Sequence, residues 1–222
     1  MGGPSLVSPR WFRARDNPMT RPWREVEYVV VDLETTGLDL RHDTIASYGA
    51  VMIRGGRMIV GENTYGLVCT TCDMDPASVA VHTLRPADVA DAPPLADAVA
   101  IIQSLLDARV LVAHAAWIER AFLTRAFAEH DTTLRSPIID TAALARAADR
   151  APKNSRREPD LEALADDLGL PVVSPHHALG DAITTAQVFL ALASQLGRRG
   201  YVSARDFIDL TAGDRNLAIS RI

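Results

Sequence analysis

Residues 26–37 read Val-Glu-Tyr-Val-Val-Val-Asp-Leu-Glu-Thr-Thr-Gly. The apolar and β-prone run Tyr28, Val29, Val30, Val31 and Leu33 predicts a strand over Val26–Glu34 that is buried on both faces. Gly37 ends it. Asp32 and Glu34 interrupt the run at positions i and i+2, so the two-residue period of a strand places both carboxylates on one face. Two like charges that close, near apolar surroundings, raise each other's pKa and cost stability. A divalent cation would neutralise both. A strand end emerging into water would also tolerate them. The Thr35-Thr36-Gly37 turn tilts the reading toward a ligand, because a glycine lets backbone approach one closely.

Working outward, residues 44–53 and 57–68 form two more strand-like runs joined by Arg54-Gly55-Gly56, a hairpin signal. The three runs predict an antiparallel meander. After Pro76 the pattern becomes helical, with Leu95, Val99, Ile102 and Leu106 at helical spacing. Val110–Ala113 and Ile138-Ile139 are short strands. A helix from about Ala116 to Glu129 follows the first, and one capped by Asp140 follows the second. Residues 150–159 read as a loop. Asp160–Leu168 is helical, and a long helix runs from about Ala178 to Leu196 with Leu179, Ile183, Ala186 and Leu190 as its packing stripe. Strands followed by mixed strand and helix units imply one α/β domain with helices on a mixed sheet. We expect it to span 25–197. Residues 1–24, broken by Pro4, Pro9, Pro18 and Pro22, read as a flexible basic arm. Residues 198–222 read as a tail with a short helix near Ser203–Leu210.

The chain of 222 residues has a net charge of −5. Five arginines against one acid make residues 1–24 basic, so the body is acidic. That argues against coating nucleic acid by bulk charge, but not against gripping one strand end at a metal site. No apolar window is long enough to cross a membrane, no stretch of signal-peptide type opens the chain, and a cytoplasmic location is the default expectation. Cys69 and Cys72 form a lone C-x-x-C without the second pair that structural zinc requires; they read as loop thiols.

Two further segments carry acids that fit poorly in a core. Glu119 precedes Phe122 and Leu123 by three and four residues and shares their apolar face. His176 follows Pro175 and stands outside the last long helix, whereas Asp181 lies in its first turn, opposite the apolar stripe. Each alone has a bland explanation. Jointly, Asp32, Glu34, Glu119 and Asp181 suit two hard cations about 4 Å apart, Mg²⁺ or Mn²⁺ rather than zinc, with His176 taking a proton from water. Phosphodiester cleavage uses such a set.

These residues resemble a known family. Asp32-Leu33-Glu34-Thr35-Thr36-Gly37, then His114 with Glu119, then His176-x4-Asp181, are similar to the three motifs of DEDDh 3′→5′ exonucleases, the group of the DNA polymerase III epsilon subunit and ribonuclease T. The resemblance covers roughly residues 25–197 and implies a ribonuclease-H-like fold with a five-stranded mixed sheet. It implies that Asp32 bridges two metals and that Glu34 and Asp181 complete the tighter site. It gives Glu119 the third acidic position, His176 the role of general base, and Thr35, Thr36 and Gly37 the lining of the terminal nucleotide. The expected substrate is the 3′ end of single-stranded DNA, with RNA or oligoribonucleotides as the alternative and a polymerase as candidate partner. The usual second motif reads His-Asn with a later Asp, so His114-Ala115 and Glu119 are departures. They leave room for a non-catalytic subunit that only holds a strand end.

Overall fold

A computed structural model describes residues 17–153, 155 and 157–218. Five strands form one mixed sheet: β1 (Tyr28–Thr35), β2 (Ile45–Arg54), β3 (Arg57–Leu67), β4 (Val110–Ala113) and β5 (Ile138–Asp140). Their order is β3-β2-β1-β4-β5. The first three make the expected antiparallel meander, and β4 and β5 join parallel to β1. Helices α1 (Pro76–His82), α2 (Pro86–Val89), α3 (Leu95–Leu106) and α4 (Trp117–Glu129) lie between strands, and α5 (Thr141–Ala147), α6 (Leu161–Asp167), α7 (Ala178–Gly197) and α8 (Ala204–Ala218) follow β5. Among the described residues no helix is long and apolar enough to cross a membrane.

The continuous apolar run of β1 has the predicted consequence. Tyr28 and Val30 face one core with Val51, Ile53 and the helices α5 to α8. Val29, Val31 and Leu33 face a second core with α3 and α4. Beyond Val30, β1 runs past its pairing with β4, which involves only Tyr28, Val29 and Val30. Asp32 and Glu34 lie in that overhang, still paired to Gly49 and Ser47 of β2.

Two expectations need correction. The boundaries at 25 and 197 exclude segments that belong to the core. Trp23, 3 % exposed, packs edge-on to Phe189 of α7 at 6.1 Å between ring centroids. Phe207 of α8 is fully buried in the same cluster. Pro22 pairs with Ser203, and the Trp23 N–H donates to Val202 O. The prolines of the arm break helical periodicity but permit two short 3₁₀ turns, Pro18–Thr20 and Trp23–Glu25, that carry the indole inward. Charged neighbours Arg205, Asp206 and Asp209 mask the apolar face of α8. The flexible-arm reading of residues 1–16 lies outside the described residues.

The stripe assigned to α7 is also shifted. Leu179, Ile183 and Leu190 are only half-buried, while Ala178, Ala182, Ala186, Phe189 and Ala193 are fully buried. Small residues let the helix sit close to the sheet, and weighting by bulk hides such a face. Gly49 sets the closest approach. A Cβ there would lie 2.3 Å from the Ala178 carbonyl.

Candidate active site

The start of α7 rests on Gly49, which pairs with Asp32 on one side and Tyr65 on the other. Asp181, one turn into the helix, therefore comes down beside the overhang of β1. It does not point away from the packing as its place opposite the assigned stripe suggested. Asp32, Glu34 and Asp181 each present a carboxylate oxygen, and the three atoms lie within 4.8 Å of one another. The sheet supplies two carboxylates through the two-residue period of a strand, and the helix supplies the third through a glycine-sized gap.

Glu119 enters from the other side. The first turn of α4 buries it to 3 % exposure, close enough to feel Asp140 and Glu34. One of its oxygens, Oε2, is buried without a hydrogen-bond partner. It stands beside the three-acid cluster rather than within it.

The electrostatics follow from this crowding. Burial first, then the charges of Glu119, Glu34 and Asp181, hold Asp32 well above the usual carboxylate range. Burial, with Asp181 second, pushes Glu34 up to about 7. Glu119 is pushed up to about 8 by burial and by Asp140 and Glu34, against backbone N–H groups of Glu119 itself and Leu33. Asp181 rises to about 6 by burial, against the His176 N–H that donates to its Oδ2 at 3.0 Å. Oxygen-only donors, an orphaned buried carboxylate oxygen and this mutual repulsion all fit a hard divalent cation.

His176 lies in the turn before α7 in a left-handed conformation, φ 59°. Its ring is about half exposed, with Nε2 3.3 Å from Glu162 Oε1 in the first turn of α6. Its neighbour His177 stacks on Tyr65, centroids 4.4 Å apart and planes 25° apart.

The Thr35-Thr36-Gly37 turn is built inward. Thr35 Oγ1 donates to Gly37 O at 2.8 Å, and Thr36 Oγ1 donates to Asp43 Oδ1 at 2.9 Å. A side chain at Gly37 would collide with the Asp43 carboxylate. Its backbone is engaged as well: the Thr36 N–H donates to Thr44 O at 2.9 Å, and Thr36 O accepts from the Asp75 N–H at 2.7 Å. Arg125 of α4 braces the following loop by donating to Leu40 O and Asp43 O. His114 is structural. Its Nε2–H donates to Pro159 O at 2.7 Å and its Nδ1 accepts from Thr141 Oγ1 at 2.8 Å, which ties β4 to α5 and to the entry of α6.

Sequence reasoning missed three partners. The sequence accounts for Asp140 sufficiently as a helix cap, which it is, accepting from the Ala142 N–H at 2.9 Å. It is also part of the acid cluster around Glu119, and burial pushes it to about 6. Its pairing opposite Ala113 brings it there. Glu162 and Tyr65 gave no local signal, because their relevance depends on where α6 and β3 pack. Cys69 and Cys72 are free thiols, and Cys69 Sγ donates to Ala90 O at 3.3 Å.

The exonuclease family RNase_T matches residues 29–189, from β1 through most of α7. The chain belongs to that family. A DNA polymerase III subunit epsilon-like protein of Rhodobacter capsulatus is 35 % identical over 182 residues, covering 81 % of this chain and 25 % of that protein. A PolC-type DNA polymerase III of Oceanobacillus iheyensis is 31 % identical over 193 residues, covering 81 % and 12 %. The chain thus spans a quarter or less of these curated relatives. Among solved structures, exonuclease X in complex with 5′ overhanging duplex DNA superposes with a TM-score of 0.64 at 25 % identity, over 83 % of this chain and 99 % of that one. E. coli exonuclease I in complex with a dT13 oligonucleotide gives 0.68 at 16 % identity, over 78 % and 42 %, a likeness of fold. The RNase_T assignment and the five-stranded sheet agree with the sequence reading.

Proposed function

We propose that this RNase_T family member is a metal-dependent 3′→5′ exonuclease. It would remove nucleoside 5′-monophosphates from the 3′ end of a single strand, with DNA as the expected substrate. The observation that carries the reading is the convergence of Asp32, Glu34 and Asp181 within 4.8 Å at the overhang of β1. In this reading Asp32, Glu34 and Asp181 hold Mg²⁺ or Mn²⁺, Glu119 supports the second of two ions directly or through water, and His176 acts as general base. Two bound ions would lower the pKa of an attacking water and steady the leaving oxygen. His176, whose Nε2 lies 3.3 Å from Glu162 Oε1, would accept the proton of the attacking water. Thr35, Thr36 and Gly37 would line the terminal nucleotide. The DNA named with exonucleases I and X, and the polymerase names of the relatives, support DNA over RNA and a polymerase as partner.

The test is digestion of matched DNA and RNA oligomers carrying a 5′ label, with Mg²⁺ or Mn²⁺ and with excess chelator. Stepwise shortening of DNA from the 3′ end, dependent on metal and lost in Asp32→Ala, is expected. Faster RNA digestion would transfer the assignment to the oligoribonucleotide alternative. Strand binding without turnover at saturating metal would favour the strand-holding subunit, for which the displaced position of Glu119 is the supporting observation.

A further inference from the structure

The turn that carries His176 is strained and needs holding. Ser174 and His176 both have positive φ, 41° and 59°, a region that side-chain-bearing residues enter rarely. Such backbone persists only where its surroundings over-determine it. Three restraints come from α7 itself: the His176 N–H donates to Asp181 Oδ2, the Val173 N–H donates to Thr184 Oγ1 at 3.0 Å, and Gly180 leaves room for Val173 O and Ser174 O. The first of these leans on a proposed metal ligand. The fourth comes from the sheet. Tyr65 projects from β3 in the same cross-strand row as Gly49 and Asp32, and its ring stacks on His177. Tyr65 is 37 % exposed and His177 is exposed, so the stack fills no core. It links the residue next to His176 to the row that carries Asp32.

We propose that Tyr65 is a positioning residue: by stacking on His177 it fixes the left-handed turn that presents His176 to the carboxylate cluster. This rests on the exonuclease reading above for its catalytic consequence, and on geometry alone for the clamp.

The variants are Tyr65→Ala, Tyr65→Phe, His177→Ala and the double alanine, assayed with Mn²⁺ on a 5′-labelled DNA strand. Misplacing a reacting group by about 1 Å can cost about 100-fold. Tyr65→Ala is therefore expected to lower kcat about 10- to 100-fold with KM little changed. Tyr65→Phe should recover the rate, since it keeps the ring. The double variant should be no worse than either single one, because both remove the same contact. Thermal melting of each variant shows whether the fold is kept. A second readout needs no catalysis. In carbon–proton spectra of histidine-labelled protein, Tyr65→Ala should move the ring signals of both His177 and His176. Unchanged kcat in Tyr65→Ala, a Phe variant as slow as the Ala variant, additive losses, or His177 signals that move while those of His176 stay, would each overturn the proposal. If the wild-type protein does not cut, the exonuclease reading fails, and the spectra still decide whether the clamp exists.

Discussion

Asp32 is held above its ordinary range because burial and three neighbouring carboxylates all oppose its charge. Glu34, Asp181 and Glu119 share that condition, at about 7, 6 and 8. At these four carboxyls the folded chain holds more protons than the unfolded chain from about pH 4 upward, and the stability they contribute is lost as pH rises through their raised pKa values. A divalent cation competes with those protons, so its affinity should rise over the same range. We expect the melting-temperature increase caused by Mn²⁺ to be small at pH 5.5 and to grow to a plateau near pH 8; an increase independent of pH would contradict the cluster. Asp32→Asn should abolish nuclease activity yet stabilise the metal-free protein, measured by urea unfolding, because a buried carboxyl crowded by three others is replaced by a neutral amide. The sequence exposed Asp32 and Glu34 because a strand's period makes two acids in an apolar run visible locally. Asp140 was not legible in this way. A cap explains it completely until the register of β5 against β4 is known.

At the scale of elements, the site depends on how closely α7 can lie on β2. Gly49 permits backbone contact, and the alanines of α7 continue it. Gly49→Ala inserts a methyl 2.3 Å from the Ala178 carbonyl, an impossible distance, so α7 must move. We expect a loss of about 1–3 kcal/mol in urea unfolding and a larger proportional loss of the Mn²⁺-dependent melting shift, since the movement separates Asp181 from Asp32. A glycine in a strand advertises a close approach but not what approaches. The sequence therefore located the five strands and helices α4 to α7 within a residue or two, whereas α8 runs eight residues past the expected Leu210 and the face of α7 had to come from the packing.

The whole molecule is larger than the motif-bearing stretch. Trp23, Phe189 and Phe207 form an aromatic group that joins the segment before β1, helix α7 and helix α8. Phe207→Ala should cost about 3–5 kcal/mol in urea unfolding, and a chain ended at residue 197 should unfold at markedly lower temperature; melting of the truncated chain decides whether 198–222 is an appendage. This aromatic group was hidden from sequence reading for a physical reason. Isolated tryptophan and phenylalanine residues among prolines and charges show no period, and only tertiary contact reveals them. Arg146 of α5 is a second such joint, paired with Glu158 before α6 and with Asp214 in α8.

Strand β1 is gripped from both sides at its root and from one side at its tip. The two carboxylates on that tip ride a cantilever. Beyond Val30 its stiffness comes from β2, whose residues from Ile45 to Ile53 are all buried. The aim of the proposed cutting centre is thus inherited from a strand that contributes no acid to it, and a repacking of β2 would misalign the centre while leaving every one of its carboxylates in place.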